Sequence, residues 1–251
     1  MPAELLAIDI GNTNATCAHM RGLEAVLSFE VASASSVEEI LAAFRIQQLK
    51  GLTLAAIASV NPRACENMEA ALRRHGFKQV LVLGRDAKVP IENRTDIPAQ
   101  VGQDRLVNAL AAKARTQGNA IVVDFGTAIT FDVLMDNAYC GGVITPGIGL
   151  AMEALHQKTA LLPLVKPQGK PPVLGKNTVA AINSGVFYGY VGLAKNIIAE
   201  LKQIYREKPR VLATGGYGAY LAPYIEDIEE VLPHLTHEGI ALSVAAPPPG
   251  P

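Results

Sequence analysis

One short pattern occurs twice in this chain and constrains its fold more than any other feature. Leu5-Leu6-Ala7-Ile8-Asp9-Ile10-Gly11-Asn12-Thr13 opens it, and Ile121-Val122-Val123-Asp124-Phe125-Gly126-Thr127 recurs near its middle. Each is an apolar, partly β-branched run followed by Asp-x-Gly and then a hydroxyl residue within two positions. Such a run reads as a buried strand. The glycine lets the chain turn sharply with no Cβ in the way. Backbone amides and a threonine hydroxyl then face an anion, while the aspartate is suited to a cation. Two such turns imply two similar half-domains gripping a nucleotide phosphate tail, which is the arrangement of a phosphoryl-transfer enzyme.

Composition narrows the field. A chain of 251 residues reads as one or two domains, and with 49% hydrophobic and 18% charged residues it can bury a large core. A net charge of −1 without a long basic run argues against nucleic acid as a partner. No apolar stretch approaches the length of a membrane span, and the N-terminus enters a strand-like run almost at once, so the expectation is a cytoplasmic protein with no membrane partner. The three cysteines (Cys17, Cys65, Cys140) are odd in number and widely spaced, so buried reduced thiols are expected. Asn14-Ala15-Thr16 and Asn93-Arg94-Thr95 fit the glycosylation pattern but lack a secretory signal. Gly169 to Lys176 misses the P-loop: five residues separate its glycines instead of four, and Asn177 stands where Ser or Thr is required.

Along the chain, strands are expected at 4–10, 15–20 and 25–31, with Arg21-Gly22 as a hairpin turn. The serines of 33–36 supply caps for a helix over 37–50. A buried strand over 54–60 ends at Asn61-Pro62, which starts a helix over 63–75; a strand over 80–83 and a helix over 104–117 complete the half. The second half restarts with strands 120–125 and 129–135 and a turn at Asp136-Asn137. Gly141 to Gly147 leads into a helix over 150–159, a loop over 163–175, a long helix over 178–205, a strand over 211–213 and the turn Thr214-Gly215-Gly216 before another helix. The expected fold class is therefore α/β, two similar lobes, each a mixed β-sheet with flanking helices. The N-terminal lobe spans 1–117, the C-terminal lobe 118–245, and 246–251 is a disordered tail.

Several segments together carry a family resemblance. Asp9 to Asn14, Gly102-Gln103-Asp104-Arg105, Asp124-Phe125-Gly126-Thr127-Ala128, Gly142 to Gly147, Lys176-Asn177-Thr178, Thr214-Gly215-Gly216 and Leu235-Thr236-His237-Glu238-Gly239 occur in one order over nearly the whole chain. The series resembles the type III pantothenate kinases of the actin/hexokinase/Hsp70-like superfamily, with its ribonuclease H-like, actin-like duplicated fold. The resemblance implies ATP-dependent phosphorylation of the 4′-hydroxyl of pantothenate, the first step of coenzyme A synthesis. It also implies a homodimer, Mg²⁺ and a monovalent cation, K⁺ or NH₄⁺.

The candidate site follows residue by residue. Asp9 orders Mg²⁺, directly or through water, while Ile10, Gly11, Asn12, Thr13, Asn14, Ala15 and Thr16 supply the ATP-binding segment. An Asx-turn closing a hairpin is the other reading of Asp9. By resemblance, Asp124 is the monovalent-cation ligand and Thr127 contacts ATP; a hard cation suits a carboxylate. Asp132, beyond Thr130, reads as structural. Gly102, Gln103, Asp104 and Arg105 form the acceptor motif, with Asp104 the catalytic base and Arg105 the partner of the pantothenate carboxylate. Taken alone, the motif reads better as a helix N-terminal aspartate followed by a solvated arginine; the resemblance reverses that order. Thr178 resembles the pantothenate-contacting threonine and also suits a helix N-cap. Thr214-Gly215-Gly216 reads equally as an adenosine platform or a plain strand-to-helix turn. Lys158, Lys166, Lys170 and Lys176 and the helix-surface His156 read as solvated, and His234 with His237 is too small a set for a metal.

One departure stands out. Thr95 occupies the position where the family often carries an aromatic residue of the substrate pocket, which opens two alternatives: a non-catalytic regulatory homologue like the Bvg accessory factors, or a superfamily kinase for another small hydroxy acid. The first would be marked by loss of a motif carboxylate, yet Asp9, Asp104 and Asp124 are all present.

Overall fold

The computed structural model describes residues 4–49 and 51–245; the expected disordered tail lies outside the described residues. The chain divides into two units. The first takes in the described residues up to Arg115 and from His234 onward, and the second is Thr116–Pro233.

The first unit runs β1 (Glu4–Ile10), β2 (Asn14–Arg21), β3 (Glu24–Ala32), α1 (Val37–Ile46), β4 (Leu54–Ser59), α2 (Pro62–His75), β5 (Gln79–Val82), the short β6 (Glu92–Asn93) and α3 (Gln103–Arg115). The second has β7 (Ala120–Phe125), β8 (Ala128–Met135), β9 (Ala138–Pro146), α4 (Ile148–Lys158), α5 (Thr178–Lys202), β10 (Arg210–Thr214), α6 (Gly218–Leu221) and β11 (Glu230–Val231). The last helix, α7 (Leu235–Ala245), packs on α3, β1, β2 and β4 of the first unit. Chain order alone groups it with the second half; its apolar side chains Ile240 and Ala241 instead close the core formed by Leu5, Ala7, Val107 and Leu110.

The two sheets share one topology. The first is ordered β3-β2-β1-β4-β5, and the second contains the run β9-β8-β7-β10-β11. In each, the central strand carries the Asp-x-Gly motif, pairs antiparallel with the following strand and parallel with the strand after the first crossover. The duplication expected from the repeated motif is thus a duplication of topology.

Strand alternation explains how the first sheet is covered on both sides. Leu6, Ile8 and Ile10 join Phe44, Met68 and Leu72 under α1 and α2, while Leu5 and Ala7 face α3 and α7. Asp9 follows Leu5 and Ala7 in this alternation, which places it on the α3/α7 face. In the second sheet, Ile121, Val123 and Phe125 pack with Ile148, Phe187 and Ile198 of α4 and α5, so Asp124 lies on the opposite face.

Local signals set the element ends. The Ser36 side chain accepts from the Glu39 amide and Glu39 returns a bond to the Ser36 amide, a capping box contributing about 1 kcal/mol. Asn61 caps α2 ahead of Pro62. The helix expected over 37–50 stops at Ile46, and that expected to Gln117 stops at Arg115. Of the lead-in over 141–147, residues 141–146 prove to be the C-terminal part of strand β9, which pairs along β8 despite its adjacent glycines, and Gly147 is the N-cap of α4.

Candidate active site

The first turn is open to solvent and stitched from the side. The Gly11 amide donates to the Asn14 carbonyl at 3.0 Å, closing the turn, and Asn12, Thr13 and Asn14 are exposed. The Ser33 hydroxyl donates to the Gly11 carbonyl at 2.8 Å, and its amide to the Thr13 carbonyl at 2.9 Å. The sequence pointed to Ser33 as part of a helix cap; Ser36 takes that task, which leaves Ser33 to hold the turn. No local signal marks such a contact, because it spans β2 and β3. Ile10 and Ala15 are buried in the core, so only their backbone can serve a ligand. Thr16 is half-buried, directly across the ladder from Asp9, and its hydroxyl lies 3.2 Å from His237 Nε2.

The acceptor motif lies beside this strand end. The Val60 amide, just past β4, donates to the Ile10 carbonyl at 3.0 Å, and a Cβ on Gly102 would sit 3.4 Å from Val60 Cγ1. The same Cβ would collide with Asp104 Oδ1, so glycine is needed for the carboxylate to fold back over the start of α3. Asp104 Oδ1 is buried and has no hydrogen-bond partner among the described residues. Burial pushes this carboxyl above the usual carboxylate range, against the smaller opposing pull of the Arg105 amide and charge. An oxygen with spare acceptor capacity and raised basicity is equipped to receive a proton. Arg105 is half-buried in the same turn, and the Gln103 side chain packs against Gly84, where a Cβ would come within 2.9 Å of its amide carbon.

The second turn is walled by backbone. Gly215, at φ +84°, packs so closely that a Cβ would strike Asp124 Oδ1 and lie 2.6 Å from the Phe125 carbonyl carbon. A Cβ on Gly147 would likewise strike the Thr127 and Gly126 carbonyls. The Gly147 amide donates to Thr127 O at 3.0 Å, and the Tyr217 amide to Phe125 O at 3.1 Å. Thr214-Gly215-Gly216 is thereby brought to Asp124, while Thr127 stays exposed. Each turn thus recruits residues that its own sequence does not announce: Ser33 and Val60 in one unit, Tyr217 in the other.

Thr178 is exposed in the first turn of α5, and the N-cap is Asn177, whose side chain accepts from the Ala180 amide at 2.8 Å. Thr95 is half-buried, and its amide and hydroxyl both donate to Asn93 Oδ1, at 3.1 and 2.7 Å, an Asx-type turn that closes the loop on itself. Asp132 is buried and accepts from Tyr139 and Thr130, in keeping with a structural reading. His156 is exposed and bonds the Leu162 carbonyl. Cys17 and Cys65 are buried, and burial raises the Cys65 thiol to about 11; Cys140 departs from expectation in being half-buried.

The donor sets fit the cations unequally but sensibly. No group of three or more His, Cys, Asp or Glu side chains that could hold a metal by itself occurs among the described residues. Mg²⁺ takes one or two carboxylates and completes its shell with water and substrate phosphates, which suits Asp9 beside an exposed turn. A monovalent ion suits the carboxylate of Asp124 in a cradle of glycine backbone that any Cβ at Gly215 would fill.

With this geometry in hand, comparison with known proteins is decisive. A family model described as type III pantothenate kinase matches residues 5–200. A type III pantothenate kinase from Cereibacter sphaeroides is 37% identical over 249 residues, covering 95% of this chain and 96% of the relative. Among solved structures, a Baf family transcriptional activator from Campylobacter jejuni superposes with TM-score 0.61 at 21% identity, covering 96% of this chain and 97% of that one. A ROK family glucokinase from Streptomyces griseus, solved with glucose and AMPPNP, gives TM-score 0.51 at 12% identity, covering 97% of this chain and 99% of that one. Those two likenesses speak to the fold alone. The family match spans most of the chain and the relative is aligned over nearly its whole length: the chain belongs to the type III pantothenate kinase family.

Proposed function

We propose that this protein transfers the γ-phosphoryl group of ATP to the 4′-hydroxyl of pantothenate, the first step of coenzyme A synthesis. Family membership across nearly the full length is the observation that carries this reading. A non-catalytic accessory role is not favoured, since the relatives are named as kinases and all three motif carboxylates are retained.

In the proposed reaction the 4′-oxygen attacks the γ-phosphorus, the bond to the β–γ bridging oxygen breaks, and ADP leaves with that oxygen. The hydroxyl proton passes to Asp104, whose buried Oδ1 has no other partner among the described residues. Transfer of this kind depends more on positioning and charge neutralisation than on basicity, so a moderately raised carboxylate suffices. Arg105 is assigned to the pantothenate carboxylate, with Gly102 and Gln103 shaping the same turn and Thr178 as a further contact. The backbone of residues 9–16, with the Thr13 hydroxyl, is assigned to the ATP phosphates, and Thr127 to ATP. Mg²⁺ at Asp9 and K⁺ or NH₄⁺ at Asp124 supply neutralisation of phosphate charge when bound.

A homodimer is proposed as the working form. Gly185, Gly189 and Gly192 lie exposed along one side of the 25-residue α5, and a Cβ on any of them would meet nothing within 4 Å. Helix glycines that no intrachain neighbour requires cost stability unless another helix packs closely against them. Among the described residues no helix is long and apolar enough to cross a membrane; a cytoplasmic location is proposed from the family's metabolic role. The direct test is ADP release with and without pantothenate, in K⁺ or in a bulky organic cation. Pantothenate-stimulated, K⁺-dependent release is expected; equal release without pantothenate would redirect attention to the Thr95 loop and another hydroxy acid.

A further inference from the structure

We infer that His237 is a positioning residue for the phosphate turn of the first unit, acting through Thr16, which its Nε2 grips at both the hydroxyl and the carbonyl. The inference rests on the reading of residues 9–16 as the ATP-binding segment.

Three observations converge on it. The first is register. Thr16 lies directly opposite Asp9 in the β1–β2 ladder, and directly opposite residues share a face with Cβ atoms about 5 Å apart. That face is the one covered by α3 and α7. Both Thr16 contacts to Nε2 are 3.2 Å long, so α7 reaches the strand beside the carboxylate assigned to Mg²⁺.

The second is the bracing of α7. The Thr236 hydroxyl donates to Asn108 Oδ1 at 2.8 Å, and Arg115 donates to Glu238 through Nε at 2.8 Å. Gly239 lies so close to the Val107 carbonyl that a Cβ there would collide with it. Asn108, Arg115 and Val107 all belong to α3, whose first turn carries Asp104. Thr236, Glu238 and Gly239 thus fix the helix to the acceptor element, and His237 between them is the residue that reaches the nucleotide strand. The closing motif therefore links the two halves of the first-unit site.

The third is the chemistry of the imidazole. His237 is only 5% exposed, and an apolar side chain there would avoid the desolvation that a ring nitrogen suffers. Burial, reinforced by His234 and only partly offset by the Thr16 bond, lowers this imidazole to about 4, so it is neutral near pH 7. Its Nδ1 is buried with no hydrogen-bond partner among the described residues. An orphaned acceptor is tolerated better than an orphaned N–H, so the single proton belongs on Nε2, where it is donated to the Thr16 carbonyl. With Ser33 fastening residues 11–13 from just past β3 and His237 fastening Thr16 from α7, the turn is held on both flanks.

The experiment measures KM for ATP, KM for pantothenate, kcat and thermal midpoint for His237→Leu and His237→Gln. The Leu variant is expected to raise KM for ATP roughly three- to tenfold, the loss of one neutral hydrogen bond, with KM for pantothenate unchanged. The Gln variant, whose amide N–H can reach the same carbonyl, should restore most of the ATP affinity. A purely structural role would move the thermal midpoint without this split and without selective rescue by Gln. Should the Leu variant fail to fold, His237→Asn, polar but too short to reach Thr16, takes its place against Gln. Asp9→Asn separates the two levels of the argument. An unchanged KM for ATP in Asp9→Asn overturns the assignment of the ATP segment and the inference with it. A raised KM there, together with Leu, Asn and Gln variants that all match wild type, overturns the role of His237 alone.

Discussion

The two Asp-x-Gly turns occupy the same place in two sheets of the same topology, yet they are built differently. The turn after Asp9 projects three exposed residues and is held at its flanks by side chains, Ser33 above all. The turn after Asp124 is enclosed by the backbones of Gly147 and Gly215, which leave no room for a Cβ. The first design suits a flexible phosphate chain, since exposed amides and hydroxyls can adapt to it. The second suits a small ion or a rigid ligand edge, because a wall of backbone holds Asp124 in one position. Repetition in the sequence thus records a shared scaffold, and the flanking residues record how differently its two turns are enclosed.

Removing the working carboxylate from each unit breaks this comparison most sharply. Asp104→Asn should lower kcat by about 10²- to 10⁴-fold, the usual contribution of a general base, with KM for ATP nearly unchanged. Asp124→Ala should instead abolish the response to K⁺, read by titrating the chloride salt at constant ionic strength. If both variants lose kcat alone, the two units do not divide the work in this way.

Glycine substitutions sharpen the contrast at the level of stability. Gly215→Ala forces a Cβ into a left-handed backbone and against Asp124 and Phe125, for a loss of roughly 2–5 kcal/mol by chemical denaturation. Gly11→Ala brings its Cβ to 3.3 Å from the Asn14 carbonyl without a positive φ, and should cost less than about 1 kcal/mol. Equal losses would mean the two turns are equally rigid. Ser33→Ala, which removes one flanking hydrogen bond, is expected to cost about 1 kcal/mol and to raise KM for ATP modestly.

The smallest effect is in pH dependence, and its sign can be worked out. Burial raises the Asp104 pKa, so the base is protonated, and kcat falls, beginning at a higher pH than an ordinary carboxylate would give. A group raised on folding stabilises the fold below its unfolded pKa, and that contribution is lost as pH rises through the folded value. Asp104→Asn should therefore flatten the acidic limb of the kcat profile, and its stability relative to wild type should improve as pH rises through that range. An unaltered limb would assign it to another group.

Much of this architecture was legible in the residues. Apolar runs broken by Asp-x-Gly located β1 and β7, and Asn61-Pro62 located the start of α2, because these signals act within a few positions. Element ends were less legible: α1 stops at Ile46 although the apolar pattern runs on to Leu49, which folds back into the core after the helix. Two-residue strands such as β11 carry too little pattern to be read. At the candidate site, the Gly102-Gln103-Asp104-Arg105 motif was legible as a helix start, and its assignment to the acceptor came from the family resemblance. The site was not legible where distant segments meet. Ser33 on Gly11, Val60 on Ile10, Gly215 on Asp124 and His237 on Thr16 are set by the sheet register and by helix docking, which no local pattern encodes. The docking of α7 on the first unit is the largest case, since chain order favours the wrong partner.

The most direct test of the whole account follows the phosphorylated product itself. Wild type and Asp104→Asn would each be incubated with ATP, Mg²⁺, K⁺ and pantothenate, and 4′-phosphopantothenate quantified by mass spectrometry alongside ATP affinity by calorimetry. The account predicts rapid product formation by wild type, and a loss of two or more orders of magnitude in Asp104→Asn with ATP affinity preserved. Product formed at similar rates by both proteins would contradict the role of Asp104, and no product from wild type would contradict the assigned reaction.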